Sequence, residues 1–91
     1  MDFTGNIIAE GRRSGGTTKD GKVWTSQEYV LETIERYPQR VVFSVTGENI
    51  DKFGIKEGQR LKISVDFHAT RNEQRQQWYN NVRCWAAEHL G

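Results

Sequence analysis

One cysteine, one proline, no long apolar run and a net charge of only +1 each close off a class of protein. The lone Cys84 has no partner for a disulfide, and with His68 and His89 far apart it offers no zinc spacing. Neither a covalent staple, a metal nor a cofactor is expected. No stretch of about 18 apolar residues exists to cross a bilayer, and Met1-Asp2-Phe3-Thr4-Gly5 lacks the basic and apolar regions of a leader. The expectation is a cytoplasmic protein with no membrane partner. Thirteen Lys and Arg against twelve Asp and Glu exclude a polybasic protein that binds by bulk charge. Aliphatics are scarce as well: 35% of the 91 residues are hydrophobic and mean hydropathy is -0.79. A chain this short buries only about two-thirds of the surface it exposes unfolded, so its core must be thin. What is plentiful is aromatic, at 11% of the residues. Those rings either fill that thin core or serve a surface that binds something.

Apolar residues recur with a period of two, the mark of half-buried strands. A first strand is expected from about Phe3 to Glu10, with Ile7 and Ile8 interrupting the alternation, where a bulged or coiled strand would bury both. Residues 12–22 hold four cations, one anion and no apolar side chain, and read as a long, mobile hairpin loop. A second strand, about Val23 to Ile34, sets Tyr29 and Leu31 on one face. Trp24, Ser26, Glu28, Val30 and Glu32 take the other. After a Tyr37-Pro38 turn, the third strand points Val41, Phe43 and Val45 inward and Val42, Ser44 and Thr46 outward. Residues 48–53 read as one or two helical turns closed by a left-handed Gly54. In the fourth strand Leu61, Ile63, Val65 and Phe67 alternate against Lys62, Ser64, Asp66 and His68. A polar connection from Thr70 to Gln77 leads to a fifth strand, about Trp78 to Ala86. There Val82 and Cys84 oppose Tyr79, Asn81, Arg83 and Trp85.

Five strands, a short helix between the third and fourth, and long polar connections after the first and fourth are the element order of an OB-fold barrel. The expected class is therefore all-β, as one OB-fold domain over residues 1–91. Closure lets few aliphatics suffice, because each strand needs only one apolar face.

Charge is distributed unevenly along this order. Arg12, Arg13, Lys19 and Lys22 face only Asp20 in residues 11–23, and Arg71, Arg75 and Arg83 face only Glu73 in residues 71–83. Between Glu28 and Glu57 the balance is acidic. In an OB-fold the two basic segments flank one groove, beside Trp24, Tyr79 and Trp85. Cations for phosphates and flat rings for bases suit a single strand of DNA, or of RNA, with each stacked base worth about 1–3 kcal/mol. Trp78 shares the parity of Val82 and Cys84 and so reads as barrel-end core, while Trp24 opposes the core parity unless a bulge reverses it. Tyr79, Arg83 and Trp85 on one strand face also fit a subunit interface, where aromatics and Arg are enriched.

No catalytic set is present in the sequence pattern. His68 beside Asp66 lacks a nucleophile or carboxylate pair to complete a site, Cys84 has core parity, and Gly15-Gly16 is followed by no Gly-Lys-Ser/Thr. Glu28, Glu32 and Glu35 read as a solvated face. The expectation is not an enzyme.

Phe3-Thr4-Gly5-Asn6-Ile7-Ile8, Gly21-Lys22-Val23-Trp24, Gln27 to Thr33, Tyr37-Pro38 and Trp78 to Trp85 together resemble a family of short bacterial proteins. That family is a domain of unknown function similar to single-stranded-DNA-binding OB-fold proteins. The resemblance covers nearly the whole chain and implies a binding surface at Lys22, Trp24, Trp78, Tyr79, Arg83 and Trp85. The resulting expectation is non-catalytic binding of single-stranded DNA (or RNA) by Arg12, Arg13, Lys19, Lys22, Arg71, Arg75 and Arg83, with bases stacked on Trp24, Tyr79 and Trp85. A single OB-fold covers few nucleotides, so a homo-oligomer, dimer or tetramer, is expected to raise affinity. The alternative is an OB-fold adaptor that meets another protein through the same aromatic face and binds no nucleic acid.

Overall fold

The period-two apolar pattern folds as it reads. The computed structural model describes residues 1–72 and 76–90, giving only the backbone for residues 70–72 and 77–80. Five strands are present: β1 (Asp2–Thr17), β2 (Val23–Thr33), β3 (Arg40–Thr46), β4 (Arg60–Asn72) and β5 (Gln77–His89), with α1 (Asn49–Phe53) between β3 and β4. They hydrogen-bond in the order β1-β2-β3-β5-β4 and close into a barrel, the arrangement of an OB-fold. All pairings are antiparallel except β3 with β5, which meet in parallel where Ser44 stands beside Arg83.

Antiparallel partners share a face, so register decides what fills the interior. Tyr29 opposite Phe43, with Leu31 and Val45, come from β2 and β3; Leu61, Ile63 and Val65 come from β4, with Cys84 opposite Val65. Tyr29 and Phe43 stack with centroids 5.6 Å apart. Each such side chain contributes about 1.5–3 kcal/mol on full burial, which is how so few of them hold the barrel. The interruption at Ile7-Ile8 is a register shift that leaves Ile7 buried and Ile8 half-buried. Gly5 sits where β1 crosses β2 so closely that any side chain would run into the Glu32 carbonyl. Helix α1 has one buried residue, Ile50, and ends at Gly54 (φ 57°), whose N–H donates to the Ile50 carbonyl at 3.3 Å.

Three expectations need correction. Residues 12–17 are not a mobile loop: β1 continues through Thr17, paired with β2 down to Val23, and only residues 18–22 turn. In that turn Thr18 N–H donates to the Lys22 carbonyl at 2.8 Å and Gly21 takes φ 81°. Ladder hydrogen bonds hold a polar ribbon with no apolar alternation to announce it. Likewise β4 runs on to Asn72 and β5 starts at Gln77, so half of the presumed connection from Thr70 to Gln77 is paired strand. Finally, Phe67 has the inward parity of Val65 yet is 58% exposed. At that point the β4–β5 ribbon has left the barrel, and there is no interior behind it.

Candidate nucleic-acid interface

On β2 the residues that alternate with Tyr29 and Leu31 point outward, and Trp24 is among them, 46% exposed. Its ring has a defined seat. Gly16 is its cross-strand partner, and a methyl group there would stand 3.0–3.1 Å from Nε1, Cε2 and Cζ2 of the indole. The bare backbone of Gly16 therefore lets the ring lie down against β1, an aromatic covering a strand glycine. Val23, Trp24, Thr25, Thr46, Gly47 and Arg83 together line a shallow cleft of about 470 Å³. An exposed indole and a guanidinium, 59 residues apart in sequence, thus share one concavity, brought together by the lone parallel pairing of β3 with β5.

The remaining cations are spread over more than one face. Lys19 and Lys22 are exposed in the turn at the tip of the β1–β2 ribbon, beside Asp20. Arg13 pairs with Gln27, on the side opposite to Trp24, and its charge reaches the Tyr29 hydroxyl. Arg12 falls in a second register shift, where it and Gly11 together oppose Glu28. Arg83 stands outward across from Asp66. Arg71 and Tyr79 are placed by register alone, opposite Trp78 and Thr70 respectively, and Arg75 lies outside the described residues. Trp85, 58% exposed, is the extra residue of a bulge between the Val65 and Ser64 pairings. It does not line the cleft that holds Trp24.

Sequence reasoning passed over a second cleft on this face, lined in part by Ser26, Glu28, Val42, Ser44 and Asn81. Outward parity was the available signal for Ser44 and Val42, but a lone serine and valine carry no chemical signature. Glu28 was visible only as one of three spread carboxylates.

Two interior groups have displaced ionisation. Burial raises the Tyr29 hydroxyl above its ordinary range; the Glu10 carboxylate adds to this, Arg13 partly offsets it and Asp51 raises it further. Burial likewise pushes the Cys84 thiol up to about 11, against backbone hydrogen bonds from Ala86 and Ser64 that favour the thiolate. A thiol so placed is a poor nucleophile. Among the described residues no cluster of His, Cys, Asp or Glu could hold a metal ion, and no helix is long and apolar enough to cross a membrane.

The fold is similar to that of the mitochondrial single-stranded DNA binding protein of S. cerevisiae, at 14% identity and a TM-score of 0.69, covering 99% of this chain and 92% of that one. It is also similar to the second OB-fold domain of replication protein A from Methanococcus maripaludis, at 12% identity and a TM-score of 0.64, covering 98% and 81%. At such identities the likeness is one of fold. No curated protein sequence matches the chain. Residues 2–88 match the family described as domain of unknown function DUF3127, and the chain belongs to that family.

Proposed function

We propose that this protein is a non-catalytic OB-fold domain that binds single-stranded DNA, or RNA, across the outward face of β2, β3 and β5. The observation that carries the reading is the cleft shared by Trp24 and Arg83. A base stacked on the seated indole would leave its phosphate near the guanidinium, with Lys19 and Lys22 extending the positive surface along the ribbon tip. The similarity to two proteins whose names state single-strand binding or replication supports the same reading. Arg12, in the register shift, and Tyr79, on the parity of Arg83, belong to the proposed surface; Arg71 falls on the other parity of its ribbon and adds charge at longer range, and Arg75, outside the described residues, is included for its charge alone. Arg13, on the opposite face, contributes charge at longer range.

Titration of tryptophan fluorescence with an oligonucleotide at low and high salt tests the proposal. Quenching is expected, with an affinity that falls steeply as salt rises because phosphate contacts release counterions. Absence of quenching at tens of micromolar protein, or an affinity indifferent to salt, overturns it.

Trp85 favours a second role within the same protein. An indole 58% exposed at a bulge, outside the Trp24 cleft, fits an interface between copies in a dimer or tetramer, or with another protein. Trp85→Ala is expected to lower the mass seen by light scattering while Trp24 quenching persists; an unchanged mass assigns Trp85 to the binding surface instead.

A further inference from the structure

The second cleft has a lining that phosphate neutralisation does not explain. It lies where β5 diverges from β3, encloses about 220 Å³, and is bounded by Ser26, Glu28, Val42, Ser44 and Asn81. That volume is below the range of about 300–1,000 Å³ that holds a drug-sized ligand, and suits a fragment such as one base edge.

Glu28 is the one charged residue of this lining, beside hydroxyls and an amide that can donate or accept. Glu28 is exposed, and among the described residues its carboxylate has no ion-pair partner. Ser44 Oγ donates its proton to the Val82 carbonyl at 3.3 Å, so lone pairs are what it has left to present. Val42, 54% exposed, gives an apolar wall against which a ring face can rest. A phosphate or carbonyl oxygen brought against the Glu28 carboxylate meets repulsion, whereas an N–H donor is attracted.

We propose that this cleft is a base-edge subsite selective for bases that carry an exocyclic amino group, cytosine above thymine, with Glu28 accepting the amino N–H. The proposal rests on the nucleic-acid reading above and narrows it. Cytosine presents an amino donor at the position where thymine presents a carbonyl, and a carboxylate is the side-chain partner suited to the amino group. Thymine is disfavoured twice, by the missing hydrogen bond and by its oxygen facing a negative charge. About 13 Å of strand separates Glu28 from Trp24, so the two subsites receive different nucleotides. The stacking ring stays indifferent to sequence while the carboxylate discriminates.

The test compares oligo-dC with oligo-dT of equal length on the intact protein at pH 7.5, where cytosine is uncharged. Oligo-dC is expected to bind about three- to tenfold tighter. In Glu28→Gln the ratio should collapse toward one, by weaker dC and stronger dT binding, because an amide offers a donor as well as an acceptor. Glu28 is exposed, so thermal unfolding of the variant should match the parent and exclude misfolding as the cause. Equal binding of the two oligonucleotides by the parent, or a ratio that survives in the variant, overturns the preference alone. So does an equal rise for both oligonucleotides in the variant, which would mean that Glu28 merely offsets Arg12. If neither oligonucleotide binds, the underlying reading falls, and the preference with it.

Discussion

The two halves of β1 are built on different rules. Between Asp2 and Glu10 the strand alternates, burying Gly5 and Ile7 against β2 and β4. From Gly11 to Thr17 no residue is buried, and the strand pairs only with β2. The β4–β5 hairpin repeats the contrast, with Leu61, Ile63 and Val65 buried in the barrel and Phe67 exposed beyond it. Stability therefore belongs to the barrel half of each hairpin. The outer halves are free of packing constraints and hold much of the cationic and aromatic surface. Substitutions in the two halves should act on different measurements.

The sharpest division is between Phe43 and Trp24. Phe43→Ala empties a fully buried position and breaks the stack on Tyr29, so a loss of about 3–5 kcal/mol in urea unfolding is expected. Trp24→Ala removes a half-exposed ring from the ribbon and should reduce oligonucleotide affinity by about 1–3 kcal/mol, with the unfolding midpoint little changed. A large stability loss in Trp24→Ala would erase the distinction between barrel and ribbon.

That division also decides what could be read from the sequence. Leu61-Ile63-Val65 and Phe43-Val45 alternate because each has an interior to face, so the strands and the Gly54 cap are legible from periodicity and turn chemistry, and the barrel from their order along the chain. The same reasoning placed Phe67 inside, since parity carries no information about where an interior ends. Residues 12–17 and 70–72 read as loop from the sequence because polar strands are held by cross-strand hydrogen bonds, and those need a partner that one sequence does not display. Trp24 and Arg83 meet through the Ser44–Arg83 pairing, a long-range contact with no local signal. Arg12 and Arg13, adjacent and alike in sequence, take different positions because the register slips between Glu10 and Arg13.

Alkaline pH probes the barrel without a change of volume. The buried Cys84 thiol holds its proton up to about 11, whereas the unfolded chain releases it near the ordinary value of 9.0. Between those values the unfolded state binds fewer protons, so this group's contribution is complete below about pH 9 and is lost as pH rises through about 11. By pH 10.5 the loss should reach about 1–2 kcal/mol. The informative quantity is the difference in slope between the parent and Cys84→Ala, which isolates the thiol from every other group. Identical slopes would mean that the thiol is wetter than its burial indicates.

The smallest effect tests the ribbon most finely. Gly16→Ala adds one methyl group, and the indole of Trp24 must lift by a few tenths of an ångström to accept it. Alanine also loses less backbone entropy on folding than glycine in a strand, worth about 0.5–1 kcal/mol, which offsets the crowding. The unfolding midpoint should therefore stay level or rise slightly, while the emission of Trp24 shifts and oligonucleotide affinity falls by about threefold, less than in Trp24→Ala. If affinity is unchanged although the emission moves, the ring does not need its glycine seat in order to stack. If affinity falls together with stability, the ribbon's packing supports the barrel, and the two halves of β1 are less separate than their burial makes them.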